Sequence, residues 1–178
     1  MPKFNDISKY TSTEGIYSVD VSWRYLLDFL KQMEDHKPPL AKEPYFQRGH
    51  VWTERQRIAY VEYKLAGGIG SEIIYLNCPG WAYKPCGDFV LVDGLQRLTS
   101  VEMFLKDQIE AYGYLYSKYE DHHFLTLFPR FTFKVNNLKT RHEVLKWYLE
   151  MNYAGTPHSE DELQRVEQLY KEAKENNQ

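Results

Sequence analysis

Phe89–Leu105, FVLVDGLQRLTSVEMFL, runs from a short apolar segment through a turn directly into a helix start. Phe89–Val92 reads as a buried strand, Asp93-Gly94 as a tight turn, and Leu95 to about Ile109 as a helix with Gln96, Arg97 and Thr99 near its beginning. A helix N-terminus presents unpaired backbone N–H groups and about half a positive charge, so it attracts anions. Arg97 adds a permanently charged planar fork suited to phosphate oxygens. Gly94 permits a sharp turn or a close backbone approach. Asp93 brings a carboxylate that either caps the helix or holds a metal and orients a water. The spacing is that of a phosphate or nucleotide site, and equally that of an ordinary strand–turn–helix junction.

Working outward, Ser22 to about Met33 places Trp23, Leu26, Leu27, Leu30 and Met33 at helical spacing. His36-Lys37-Pro38-Pro39 breaks that helix and leads into PYFQRGHVW, residues 44–52. Thr53-Glu54-Arg55-Gln56 has the form of a capping box and opens a helix that Gly67-Gly68 ends. Glu72–Asn77 and Phe131–Val135 read as further strands. Thr140-Arg141-His142-Glu143 and Ser159-Glu160-Asp161-Glu162 are two more capping boxes; the helix after the second carries Leu163, Val166, Leu169 and Tyr170 on one face. The polar end, residues 171–178, is expected to fray. The pattern is α/β or α+β, with a small sheet, several helices and no linker that would divide residues 1–178 into two domains.

Composition narrows the function classes. Of 178 residues, 43% are apolar, enough for a core, while a net charge of −3 argues against a uniformly basic nucleic-acid binder. No apolar run is long enough to span a membrane, so a soluble, cytoplasmic protein is expected. Cys78 and Cys86 are too few for a disulfide framework; they flank a turn-rich segment and read as ordinary thiols. His122-His123 read as surface histidines, because adjacent side chains diverge. His50, Arg55, Arg57 and Lys64 form a modest basic patch of the kind that faces a nucleic-acid backbone. No GxxxxGK[ST] sequence, catalytic Ser or Cys motif, or HExxH is present.

VDGLQRLTSVEMFL resembles the (I/V)DGQQRLT segment of the ParB/sulfiredoxin-like domains in the N-terminal half of GmrSD-type modification-dependent restriction enzymes. Residues 44–52 are similar to that family's P-x-x-QR-x-x-VW block, and residues 152–159, NYAGTPHS, to its N-x-x-GTPLS block. The three blocks occur in the family's order and cover about residues 44–166. Leu95 replaces the first glutamine of DGQQR; a role needing that amide is lost, whereas a backbone N–H contact at position 95 would persist.

The resemblance implies one ParB/sulfiredoxin-like domain, a small sheet surrounded by helices, that binds and hydrolyses an NTP with Mg²⁺ in DNA restriction or phage defence. The implied nucleotide-binding residues are Gln47, Arg48, Gly94, Leu95, Gln96, Arg97 and Thr99, with Asp93 and Arg97 catalytic and Asp93 on the metal. Several have a competing structural role: Arg97 in a salt bridge with Asp93 or Glu102, Asp93 as a cap, Arg48 as a bridge between loops and Gln96 pointing to solvent; Trp52 and Tyr45 could stack on a base or serve as packing residues. In GmrSD-type enzymes an HNH nuclease domain follows; here the chain ends soon after the third block and resembles a stand-alone version. DNA, a nuclease and a host defence protein are the implied partners. The alternative functions are an adaptor or decoy that binds a defence protein, and a phosphotransferase or DNA nickase on the same scaffold.

Overall fold

The computed structural model describes residues 17–47, 51–81, 86–153 and 160–176. Its strands are β1 (Tyr17–Ser22), β2 (Ile73–Asn77), β3 (Val90–Asp93) and β4 (Arg130–Asn136). Its α-helices are α1 (Leu26–Glu34), α2 (Glu54–Leu65), α3 (Leu95–Leu105), α4 (Arg141–Tyr153) and α5 (Glu160–Glu175). The architecture is mixed α/β, as the sequence pattern predicts. The four strands form one sheet in the order β1-β4-β2-β3. Only the central pair, β4 and β2, is parallel; β1 and β3 run antiparallel to their neighbours. The sheet is therefore not the open parallel type whose ligands gather beyond the carboxyl ends of the strands.

Burial explains the strand sequences. Phe131, Phe133 and Val135 of β4 alternate into a core shared with Ile74 and Leu76 of β2, Leu26 and Leu30 of α1, Val61 of α2, and Leu98, Val101 and Phe104 of α3. β3 is covered on both sides: Leu91 enters that core, while Val90 and Val92 enter a second one with Trp147 and Tyr148 of α4 and Val166 of α5. A strand buried on both faces reads as a continuous apolar run, which is why FVLV does not alternate.

The two capping boxes within the described residues form as the sequence predicts. The Thr53 side chain accepts from Gln56 N, and Gln56 Oε1 accepts from Thr53 N at 2.8 Å. Glu143 Oε2 accepts from Thr140 N at 3.0 Å, and Glu143 N donates to Thr140 Oγ1 at 3.2 Å. The third box depends on Ser159, which lies outside the described residues, as do positions 154–158 of the third block.

Three expectations are corrected. The first helix is preceded by strand β1, whose Tyr17, Val19 and Val21 alternate, and by a 3-10 turn over Trp23–Tyr25. The strand pattern is half polar, and its pairing partner β4 lies more than a hundred residues away, so local propensity carries little of the signal. Helix α3 ends at Leu105 and not near Ile109, because the chain turns out of the helix through Lys106 and Asp107, the latter at φ +57°. Lys64 does not join an exposed basic patch. Lys64 is 8% exposed, and its ammonium donates to Gly68 O, Gly70 O and Glu72, closing the turn after α2.

Lys42 anchors the segment that leads to the QR block. Its ammonium lies 2.7 Å from Glu34 on α1 and 3.0 Å from Glu102 on α3, and Lys106 meets Glu102 at 2.6 Å. Burial disfavours both the Lys42 and Glu102 charges, but hydrogen bonds outweigh it: those Lys42 donates to Glu34 and Glu102 raise its pKa, and those Glu102 accepts from Lys106 and Lys42 lower its own. Ala41 continues the sheet beyond β3, its N–H donating to Phe89 O and its carbonyl accepting from Leu91 N. The chain that follows is thereby held against the edge of β3. Both cysteines are free; Cys78 is buried, its thiol pushed up to about 11 by that burial and by the nearby Cys86.

Candidate functional site

Strand β3 ends at Asp93, and Gly94 is the N-cap of α3 with φ +108° and ψ 7°. That backbone is in the half of φ space that favours glycine. The space is also closed: a Cβ on Gly94 would stand 2.5 Å from Ile74 Cδ1 and 3.4 Å from Ile74 Cα. Asp93 is therefore not the cap. Its Oδ2 instead pairs with Arg97 Nη2, one helical turn on, and Gly94 supplies no side chain to cover the first N–H groups of α3. The Arg97 side chain is only 19% exposed and that of Asp93 45%, so the pair forms part of a wall with the carboxylate outermost.

The QR block meets this turn. Gln47 Nε2 donates to Leu91 O at 2.8 Å and to Val92 O at 2.5 Å, tying the loop to the last residues of β3. Gln96 Oε1 accepts from Val51 N at 3.3 Å and Trp52 N at 3.2 Å, tying the loop's exit to the first turn of α3. Each glutamine thus fastens one block to the other across about 45 positions of sequence. Replacing Gln96 with alanine should leave the fold standing and loosen the loop. At about 1 kcal/mol per hydrogen bond, the Val51 and Trp52 amides should exchange roughly fivefold faster, read by NMR-detected hydrogen exchange.

Between loop and turn lies a cleft of about 200 Å³, lined by Gln47, Val51, Trp52, Val92, Asp93, Gly94, Leu95, Gln96, Arg97 and Tyr148. Six of the eight residues expected at the site line it: Gln47, Asp93, Gly94, Leu95, Gln96 and Arg97. Thr99 is half-buried on α3 and is not among the lining residues. Arg48 lies outside the described residues, so the convergence of Arg48 and Arg97 expected from the sequence does too. Leu95, 5% exposed, packs into the first core, so the position that departs from DGQQR is used for packing. Trp52 packs against the same core, its ring 5.5 Å from that of Tyr60.

Tyr148 is the lining residue that sequence reasoning missed. It is one of three aromatics on α4, and it reaches the cleft because α4 packs over β3. Its position in the apolar pattern of α4 marks it as buried but does not say beside what. His122 stacks on Tyr116 at 4.3 Å, with its Nε2 3.0 Å from Tyr116 O. Among the described residues, no three His, Cys, Asp or Glu side chains are grouped to hold a metal. No helix among them is long and apolar enough to cross a membrane.

Comparison with known proteins gives one match. Residues 26–178 match the family described as "GmrSD restriction endonuclease, N-terminal domain", extending past both ends of the three sequence blocks. No curated protein and no solved structure matches the chain. The match covers most of the chain, including the QR loop, the β3–α3 turn and the helices that pack over them. The chain belongs to the GmrSD restriction endonuclease N-terminal domain family, a family of restriction-associated defence domains.

Proposed function

We propose that the cleft between the QR loop and the β3–α3 turn binds the phosphates of a nucleoside triphosphate, and that the chain hydrolyses it in the service of DNA restriction. The observation that carries this reading is the meeting of three features at one cleft. They are a helix start whose cap residue has no side chain, an arginine behind it, and a half-exposed carboxylate at its mouth. Phosphoryl transfer depends mainly on positioning and on neutralising charge, so such a site has the needed parts. At about 200 Å³ the cleft is below the roughly 300–1,000 Å³ of a whole small-molecule pocket, a size suited to a phosphate chain.

Mg²⁺ fits this donor set. Magnesium commonly takes one or two carboxylates together with phosphate oxygens and water. Asp93 would hold the ion, which when bound would offset the charge of the phosphates. Arg97 and the first-turn N–H groups of α3 would bind and orient the phosphates, with the Gln47 and Gln96 bonds holding the loop in place. The restriction endonucleases to which this family belongs support DNA as a partner.

Asp93→Asn keeps the shape of the side chain and removes its charge. It should abolish Mg²⁺-dependent phosphate release, falling to below about a hundredth of wild type, with thermal stability lowered by no more than the roughly 0–1 kcal/mol of one partly exposed ion pair. Release of inorganic phosphate from each NTP, measured with supercoiled plasmid present, tests the reading. Unchanged hydrolysis in the variant would show that Asp93 only pairs with Arg97. Plasmid relaxation without phosphate release would point to nicking, and a stoichiometric protein partner with no turnover would point to an adaptor.

A further inference from the structure

A second, larger cleft of about 490 Å³ lies on the same face of β3. Val90 lines this cleft and Val92 lines the phosphate cleft, two residues apart on one side of the strand and so about 7 Å from each other. The QR loop runs past both: Tyr45 and Phe46 border the larger cleft and Gln47 the smaller. Phe46 borders the larger cleft and Tyr148 the smaller, and their rings pack with centroids 5.4 Å apart.

The lining of the larger cleft indicates what it would take. Arg141 and Lys139 lie there, as does the N-terminus of α4, which alone would attract an anion. That attraction is already satisfied. Glu143 Oε2 accepts from Lys139 N at 2.9 Å and from Thr140 N at 3.0 Å, and Arg141 Nε lies 3.7 Å from Asp88. One carboxylate thus meets the N–H groups ahead of α4 and another the Arg141 guanidinium, so the cleft is not a bare anion site. Its flat wall is the Tyr45 ring. Tyr45 is 44% exposed, and the Arg141 guanidinium lies 5.2 Å from the ring centroid, so this face already receives one planar group. Asp88, with a side chain 67% exposed, supplies an acceptor for N–H groups on the edge of a ring.

We infer that the larger cleft is the nucleobase subsite of the nucleotide whose phosphates enter the Asp93–Arg97 cleft, with the base on Tyr45 and its N–H edge toward Asp88. The inference rests on the phosphate reading above. It adds that the ligand lies along β3 and crosses the Phe46–Tyr148 pair, so that one end of the QR loop contacts the base and the other the phosphates. A base stacked on Tyr45 contributes to affinity whatever its identity, because every base has a π face. Asp88 supplies the selectivity, because the four bases differ in the N–H groups they present.

Calorimetric titration of the full chain with inorganic tripolyphosphate and with each of the four NTPs, all with Mg²⁺, separates the two clefts. Wild type should bind at least one NTP more tightly than tripolyphosphate. Tyr45→Ala should weaken NTP binding about five- to a hundredfold, the range of one lost base–aromatic stack, and leave tripolyphosphate binding within about twofold of wild type. Asp88→Asn, at a position too exposed to threaten folding, should reorder the four NTP affinities and leave tripolyphosphate unchanged. Equal wild-type affinity for tripolyphosphate and every NTP would overturn the base subsite and leave the phosphate reading standing. So would equal losses for both kinds of ligand in Tyr45→Ala, or an unchanged NTP order in Asp88→Asn. Binding of neither ligand to wild type would overturn both readings.

Discussion

Arg97→Ala is expected to lower NTP affinity about ten- to a hundredfold, the cost of one charge-assisted hydrogen bond to a phosphate at roughly 1.5–3 kcal/mol. The guanidinium lies behind the α3 N-terminus and already faces a carboxylate, so its position is set before any ligand arrives. A first-turn arginine read from sequence is an exposed residue that can be removed without cost to folding. This one is 19% exposed and ion-paired, so truncation should also cost stability, on the order of 1 kcal/mol. Titration calorimetry and a thermal melt on the same sample measure the two effects separately. Arg97→Lys should keep the charge and the fold but lose the planar fork, recovering only part of the affinity. A variant that folds and binds every NTP as tightly as wild type would remove Arg97 from the phosphate site.

Gly94→Ala should be the most damaging small substitution at the site. A non-glycine residue at φ +108° costs on the order of 1–3 kcal/mol in backbone strain. The added methyl would also stand 2.5 Å from Ile74 Cδ1, and Ile74 is fully buried, so the contact is relieved only by repacking the core, at a further cost of about 1–3 kcal/mol. The combined loss of about 2–6 kcal/mol corresponds to a thermal midpoint lowered by roughly 4–24 °C for a chain of this size. Because Gly94 sets the angle between β3 and α3, any folded fraction should also bind nucleotide poorly. Ile74→Val shortens the side chain that meets the new methyl, so it should restore part of the stability without restoring the backbone angle. If Gly94→Ala melts with wild type, the turn is not constrained as described.

How much of this could be read from the sequence depends on how far apart the interacting groups lie. Thr53 with Gln56 and Thr140 with Glu143 are three residues apart, and a capping box is complete within one helical turn, so α2 and α4 begin where their sequences say. The junction of β3, Gly94 and α3 is equally local: a short apolar run, a glycine that can adopt positive φ, and a helical apolar pattern follow one another without a gap. The resemblance to the GmrSD-type domain rests on such local blocks and agrees with the family match.

What the sequence could not decide is set by partners brought together from a distance. Strand β1 becomes a strand through its pairing with β4, and Lys64 leaves the surface because the carbonyls after α2 and Glu72 enclose its ammonium. Gln47 and Gln96 carry no local mark of what they do, because each amide is satisfied by backbone groups about 45 residues away. Tyr148 enters the cleft only when α4 packs on β3. The sequence by itself determined the starts of α2 and α4, the turn at Gly94 and the identity of most of the cleft residues, because backbone sterics, capping and apolar periodicity act over a few residues. Only the tertiary structure decided the strand order, the junction of the QR loop with the turn and the neighbouring second cleft, because long-range hydrogen bonds and core packing are made between chain segments that periodicity cannot relate.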